Sequence, residues 1–189
     1  MAREPRDRVL AAAVAAAGRV GLARLTVDEV AREAGVGRAT VYRWFPGGRD
    51  QVVDEAVTWE IGRFLGRLGE AVEGSPDLRS RLAAGLGFAH RALEEHTVLQ
   101  HLLATEPAGV LPQLHQTVPL VLAVLRDALV PHVEAEPRRR PEVDPVAAAE
   151  WLARMFLSFL ADGGRWDLDD PAEVQRLVDS ELLAGIVTG

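Results

Sequence analysis

The sequence contains no cysteine and no lysine, and it has no run of alternating β-branched residues bounded by turns. Without thiols there can be no disulfide, no thiolate zinc site and no cysteine nucleophile, and the composition fits a reducing compartment. Without strand patterns the fold class is all-α, because apolar residues recur at helical spacing along the chain. The opening residues MAREPRDRVL place charges where a signal peptide needs an apolar core, and no uncharged apolar stretch is expected to reach about 18 residues. The expectation is a cytoplasmic protein without a membrane span.

Catalytic patterns are missing too. There is no G-x-S-x-G and no phosphate loop, and Gly35-Val36-Gly37 lacks both a third glycine and a preceding strand. His90, His96, His101, His115 and His132 form no ligand-spaced pair beside a carboxylate cluster. The chain is therefore not expected to be an enzyme or to hold a cofactor or metal.

What is present is 189 residues, room for one small module and one larger one. The net charge of −7 argues at first against nucleic acid as a partner. Its distribution reverses that reading: residues 1–50 carry nine Arg against six Asp and Glu (+3), and residues 51–189 carry twelve against twenty-two (−10). The basic end, 1–50, is read as a DNA-binding domain and 51–189 as a ligand-binding and dimerisation domain.

Leu10, Val14 and Ala17 space a first helix that ends near Gly18 and Gly21. Thr26 can cap a second, with Glu29 returning the bond in a capping box, and Val27, Val30, Ala31 and Ala34 as its buried stripe. Gly35 ends that helix, and a third runs from about Gly37 to Phe45 before Pro46-Gly47-Gly48 breaks it. A fourth restarts at Arg49-Asp50 and continues through Val53, Val57, Ile61, Phe64 and Leu68. Pro107, Gly109 and Pro112 are expected to interrupt the following helices. Residues 134–144, EAEPRRRPEVD, read as an exposed and mobile linker in which Arg138, Arg139 and Arg140 are solvated. Asp144-Pro145 and Asp170-Pro171 mark two further helix starts, Glu173 completing a second capping box. The helix from Pro145 to Leu160 is apolar around most of its circumference. It needs cover from a second copy of the chain, together with the final helix carrying Val174, Leu177, Val178, Leu182 and Ile186.

Residues 26–45, TVDEVAREAGVGRATVYRWF, read as helix, tight turn, helix. At helical spacing Val41 and Phe45 share the inward face, and Ala39 and Arg43 the outward one, flanked by Thr40 and Tyr42. One small residue, one Arg and two hydroxyls suit a DNA groove: Arg43 can reach guanine O6 and N7, Ala39 allows close approach, and the hydroxyls can bond phosphate.

Over residues 6–57 the sequence resembles the tetracycline-repressor (TetR) family of bacterial regulators, in the T-V-x-E-V-A-x-E-A-G-V-G-x-A-T-V-Y-x-W-F-P pattern and the helix restart near Asp50. The resemblance implies an N-terminal DNA-binding domain, a helical ligand pocket and a dimer built by the last two helices. It implies backbone contacts from Thr40, Tyr42 and Trp44, base reading by Arg38, Ala39 and Arg43, and Thr26 at the phosphate-facing start of the second helix. Trp44 stands where His is common in that family. Gly48 stands where a phosphate-binding Lys is common, so that contact is lost, moved to Arg49, or replaced by backbone N–H groups. Trp59, Phe64, Phe88, Trp151 and Phe156 are candidates to line an apolar effector pocket, although core packing explains each as well. The expected function is a ligand-responsive repressor on a near-palindromic operator. The alternative is an all-α protein interaction module that binds no DNA.

Overall fold

The computed structural model describes residues 5–188. Its helices are α1 (Pro5–Val20), α2 (Val27–Ala34), α3 (Arg38–Trp44), α4 (Gly48–Val72), α5 (Leu78–Glu94), α6 (Thr97–Thr105), α7 (Pro107–Glu134), α8 (Pro145–Ala161) and α9 (Pro171–Leu177). The chain leaves α9 through one π-helical turn, Val178–Leu182. The class is all-α, as the spacing predicted; among the described residues the only β pairing is an isolated bridge between Arg139 and Val187.

Two compact units form. Among the described residues, the first contains 5–64 together with Glu94–Thr117, and the second contains Leu65–Leu93 together with 118–188. The N-terminal unit thus extends well beyond residue 50. Its core joins Val9, Leu10, Ala13 and Ala16 of α1 to the α2 stripe of Val27, Val30, Ala31 and Ala34, to Val41 and Phe45, and to Val52, Val53 and Ala56 of α4. Leu102 and Val110 add the α6–α7 corner to the same cluster. In this small-residue core the alanines let α1 and α2 approach closely, and Phe45 supplies the bulk.

Local chemistry sets the boundaries. The Thr26 hydroxyl accepts from the Glu29 N–H at 3.2 Å, which satisfies one free donor at the start of α2. The Glu29 carboxylate does not complete the expected box; Arg19 takes it at 3.0 Å and Arg32 also pairs with it. A cation beside the carboxylate outcompetes a neutral backbone donor. At the other end Gly35 adopts φ +66°, and the Val36 N–H reaches back to the Ala31 carbonyl at 3.0 Å, closing a Schellman turn.

His96 caps α6 by accepting the Leu99 N–H on Nδ1 at 3.2 Å, which turns its Nε2 to within 3.5 Å of Glu60 Oε1 on α4. That contact first, and then the charge of Arg63, hold the Glu60 carboxyl below the usual glutamate range despite the opposing effect of burial. A lowered carboxylate pKa adds stability above the ordinary value of about 4.3, and this is lost as pH falls through the lowered one. The stability difference between wild type and Glu60→Gln in urea melts is therefore expected to favour wild type at pH 7 and to vanish towards pH 3.

Four expectations are corrected. Gly109 and Pro112 do not interrupt the helices, although Pro107 does: it stands at the break after α6 and opens α7, which continues unbroken for 28 residues. Pro107 stands at the first helical position, where a missing N–H costs nothing. Pro112 lies on the exposed side of the same helix. The 134–144 segment is not a free linker. The Arg140 N–H donates to the Ile186 carbonyl at 2.9 Å, the Thr188 N–H donates to Arg138 at 2.8 Å, and Glu136 is buried. Glu173 returns its bond not to Asp170 but to the Asp167 N–H at 3.0 Å, while the Asp170 carboxylate caps Ala172. Finally, the apolar stripe of the last helix is covered within its own chain, with Val174, Leu177, Val178, Leu182 and Ile186 all buried. Tyr42 of α3 apart, the large apolar side chains left bare among the described residues are on α7 and α8.

Among the described residues α7 alone is long and apolar enough, by length and composition, to cross a bilayer. Gln113, His115, Gln116 and Thr117 divide it into two apolar stretches.

Candidate functional site

The α3 helix is seven residues long and begins at Gly37, which offers no side-chain cap. So short a helix is held by its anchors rather than by its own ladder. Val41 and Phe45 are 0 % exposed, which fixes the rotation of α3 and turns the opposite face outward. Arg38, Ala39, Tyr42 and Arg43 are exposed, and Thr40 and Trp44 are half-buried. The outward set is the one expected from the spacing, except that Trp44 also packs against the N-terminal core.

The two arginines of this face are not equivalent. Arg38 pairs with Asp28 at 3.3 Å and lies 5.5 Å from the centre of the Tyr42 ring. Arg43 has no carboxylate or hydrogen-bond acceptor among the described residues; its one neighbour of note is the Trp44 ring, 5.6 Å away. A guanidinium that must leave a carboxylate to reach a base gives up that pairing, and Arg43 does not. Arg43 is thus the better placed of the two to read a base edge.

Thr26, Gly48 and Arg49 complete the DNA-contact candidates. Thr26 is exposed, with its hydroxyl oxygen capping α2, so a proton remains for an outside acceptor. Gly48 is buried, at φ +68°, with its N–H already on the Phe45 carbonyl at 2.9 Å. A Cβ there would sit 3.4 Å from the Tyr42 ring. Gly48 is thus the turn beside the Tyr42 ring, and its backbone donor is already in use. Gly48→Ala and Gly48→Lys are both expected to lower stability by about 1–2 kcal/mol, the cost of a left-handed L-residue. Thermal melts check this, with a fall of several degrees expected.

Arg49 is engaged as well. It donates to the Leu22 carbonyl at 2.7 Å and the Leu25 carbonyl at 3.0 Å, and it pairs with Asp50 at 2.7 Å. From the α6–α7 corner, Glu106 accepts the Ala23 N–H at 2.8 Å. The turn between α1 and α2 is thereby clamped on both sides by side chains, a role that sequence spacing did not reveal for either residue.

The second unit contains a cavity of about 110 Å³ whose wall includes Leu68, Val72, Leu82, Leu125, Leu129 and Phe156. Of the five expected pocket residues only Phe156 reaches it. Trp59 packs on the N-terminal core under Arg63, Phe64 belongs to the first unit, Phe88 is half-buried elsewhere, and Trp151 is 40 % exposed. Gly85 also lines the space. A glycine in mid-helix is a signal of close approach or of room left open, and LAAGLGF carries it.

Residues 9–56 match the family described as bacterial regulatory proteins, tetR family. No curated protein matches the chain in sequence. Among solved structures, the chain is similar to the fatty acid degradation regulator FadR from Bacillus halodurans, at 18 % identity and a TM-score of 0.61, over 96 % of this chain and 98 % of that one. It is similar to the TetR family repressor AlkX from a Dietzia species, implicated in biodegradation of n-alkanes, at 20 % identity and a TM-score of 0.62, over 97 % and 98 %. It is also similar to SmeT, the repressor of the multidrug efflux pump SmeDEF of Stenotrophomonas maltophilia, at 21 % identity and a TM-score of 0.60, over 97 % and 90 %. These likenesses establish a shared helical fold along nearly the whole chain, and the sequence match establishes the N-terminal domain. Residues 9–56 are thus a domain of the kind found in the tetR family of bacterial regulatory proteins, and the chain as a whole shares the helical fold of these solved structures.

Proposed function

We propose that the protein is a cytoplasmic repressor that binds a near-palindromic operator as a homodimer and is released by a small apolar effector. The observation that carries this reading is the exposed face of α3, where an unpaired Arg43, a small Ala39 and the Tyr42 hydroxyl stand together over two fully buried anchors. Such a face fits a major groove, with Arg43 on a base edge and Tyr42, Thr40 and Thr26 on phosphates. That AlkX and SmeT are repressors supports the direction of regulation.

Dimerisation is supported by bare apolar side chains: Leu120 is 47 % exposed and Val124 40 % on α7, and Val146 is 48 % and Trp151 40 % exposed on α8. With α9 covered by its own chain, α8 and α7 are the helices left to meet a second copy. The effector reading rests on the apolar cavity, a ligand there shifting the population of DNA-competent dimers.

The test is a footprint on an inverted repeat beside the protein's own gene, with light scattering on the free protein. A protected repeat and a particle of twice 20.5 kDa are expected. Equal affinity for the repeat and a scrambled duplex would favour an interaction module that reads no DNA, and a stable 20.5 kDa monomer at micromolar concentration would remove the dimer.

A further inference from the structure

Arg81 stands out in the second unit. It is half-buried on α5 and lines a cavity whose other named wall residues are apolar. Among the described residues of this unit, Arg79, Arg126, Arg138, Arg154, Arg165 and Arg176 each pair with a carboxylate. Arg81 has neither a carboxylate partner nor a hydrogen-bond acceptor among them. Arg67 and Arg91 also have no carboxylate but are exposed, where water satisfies them, and the half-buried Arg139 and Arg140 donate instead to backbone carbonyls. The wall is almost wholly apolar, so Arg81 borders it with its aliphatic stem, and its guanidinium, which has no acceptor of its own, is left for an anion at the rim.

A second nitrogen group stands near Arg81, outside the wall of the cavity. His132 follows the cavity residues Ala128 and Leu129 along α7. Burial first, and then the charge of Arg81, push its pKa below the usual histidine range. The imidazole is thus neutral near neutral pH and able to donate one N–H, and Arg81 supplies the full positive charge. One fixed charge suits a singly charged, planar head that a guanidinium can grip with two parallel bonds, and a carboxylate has that form.

The size of the space limits the rest of the molecule. A cavity of about 150 Å³ accepts a benzene ring, so one of about 110 Å³ accepts an aliphatic tail of about four or five carbons.

We propose that this cavity binds a short-chain aliphatic carboxylate, with the tail among Leu68, Leu82, Leu125 and Phe156 and the head on Arg81. The inference rests on the reading of the cavity as the effector site, and it replaces an effector that is wholly apolar with one that has an anionic end. Two separate features recognise such a molecule: the apolar wall sets its length, and Arg81 sets its charge.

The experiment is calorimetric titration of the full chain with hexanoate, 1-hexanol and decanoate, repeated on Arg81→Gln and Arg81→Lys, with circular dichroism confirming that each variant is folded. Hexanoate is expected to bind about tenfold or more tighter than 1-hexanol, the size of a charge-assisted hydrogen bond. Arg81→Gln should abolish that preference, and Arg81→Lys should keep part of it. Decanoate should bind no tighter than hexanoate. If 1-hexanol binds as tightly as hexanoate, the anionic head is wrong and the effector cavity stands. If neither gives a saturable heat, both the inference and the cavity reading fall. A full preference surviving in Arg81→Gln would overturn the assignment to Arg81, and decanoate binding tenfold tighter than hexanoate would overturn the tail length.

Discussion

Arg43→Ala is expected to cost about 1–3 kcal/mol for each lost base contact. On a symmetric site with one contact per protomer, that is a loss of binding of roughly 30- to 10⁴-fold for the dimer. The melting temperature should stay where it is, because the side chain is exposed and has no partner to strand. Specificity should relax at one position of each half-site while the salt dependence changes little, since base contacts release few counterions. Arg38→Ala should have a smaller effect, because its guanidinium is already held by Asp28. Titration of fluorescent operator duplexes mutated one base pair at a time separates the two arginines. A uniform loss across all sequences would place Arg43 on phosphate instead, and no loss at all would remove it from the interface.

The exposed set of α3 was legible in the sequence because helical spacing alone decides which residues share a face. Val41 and Phe45 at one angle leave Ala39, Tyr42 and Arg43 at the other, and the fold adds nothing to that logic. Features that depend on competition between partners were less legible. Glu29 has the spacing of a capping box, yet its carboxylate goes to Arg19, brought in from α1 by the tertiary fold. Arg49 looks free in the sequence and is held by two carbonyls of the α1–α2 turn. Gly48 looks like a missing lysine and is a left-handed turn residue with its N–H already in use. The outcomes at Glu29 and Arg49 depend on residues of another element, and that at Gly48 on local turn geometry; periodicity records neither.

The cavity of the second unit was harder still, and for a different reason. Aromatic residues drew the expectation because they bury large areas, but bulk fills space. The wall of the cavity is built mainly from leucines around Gly85, where a Cβ would come within 3.4 Å of Val72 and 3.5 Å of Phe156. Gly85 marks a close approach of α4 and α8 to α5 at the wall of that space. Similarly, the apolar final helix suggested a surface needing a partner, and its stripe is spent on the core of its own unit. A sequence shows that a stripe is apolar and does not show what covers it.

The largest stability effect is expected at Phe45. It is fully buried at the point where α3 ends, with Val41 of the preceding turn buried beside it and the guanidinium of Arg6 5.2 Å from the centre of its ring. Arg6 also pairs with Glu55, so the ring lies beside a link from α1 to α4. The surrounding core is rich in alanine and valine, small side chains with little reach to close over a void. Truncation to alanine therefore removes both the transfer energy of the ring and the contacts its neighbours cannot remake, about 3–5 kcal/mol in all. That is a large part of the usual stability of a domain. Phe45→Leu, which keeps most of the volume, should cost much less. Because α3 is only seven residues long and depends on this anchor, operator binding should fall with stability in Phe45→Ala, whereas in Arg43→Ala it falls alone. Hydrogen exchange should show the loss of protection concentrated in α1 to α3, with the unit from Val118 onward protected as before. If Phe45→Ala melted like wild type, the ring would not be the anchor that orients the reading face, and the rotation of α3 would have to rest on Val41 alone.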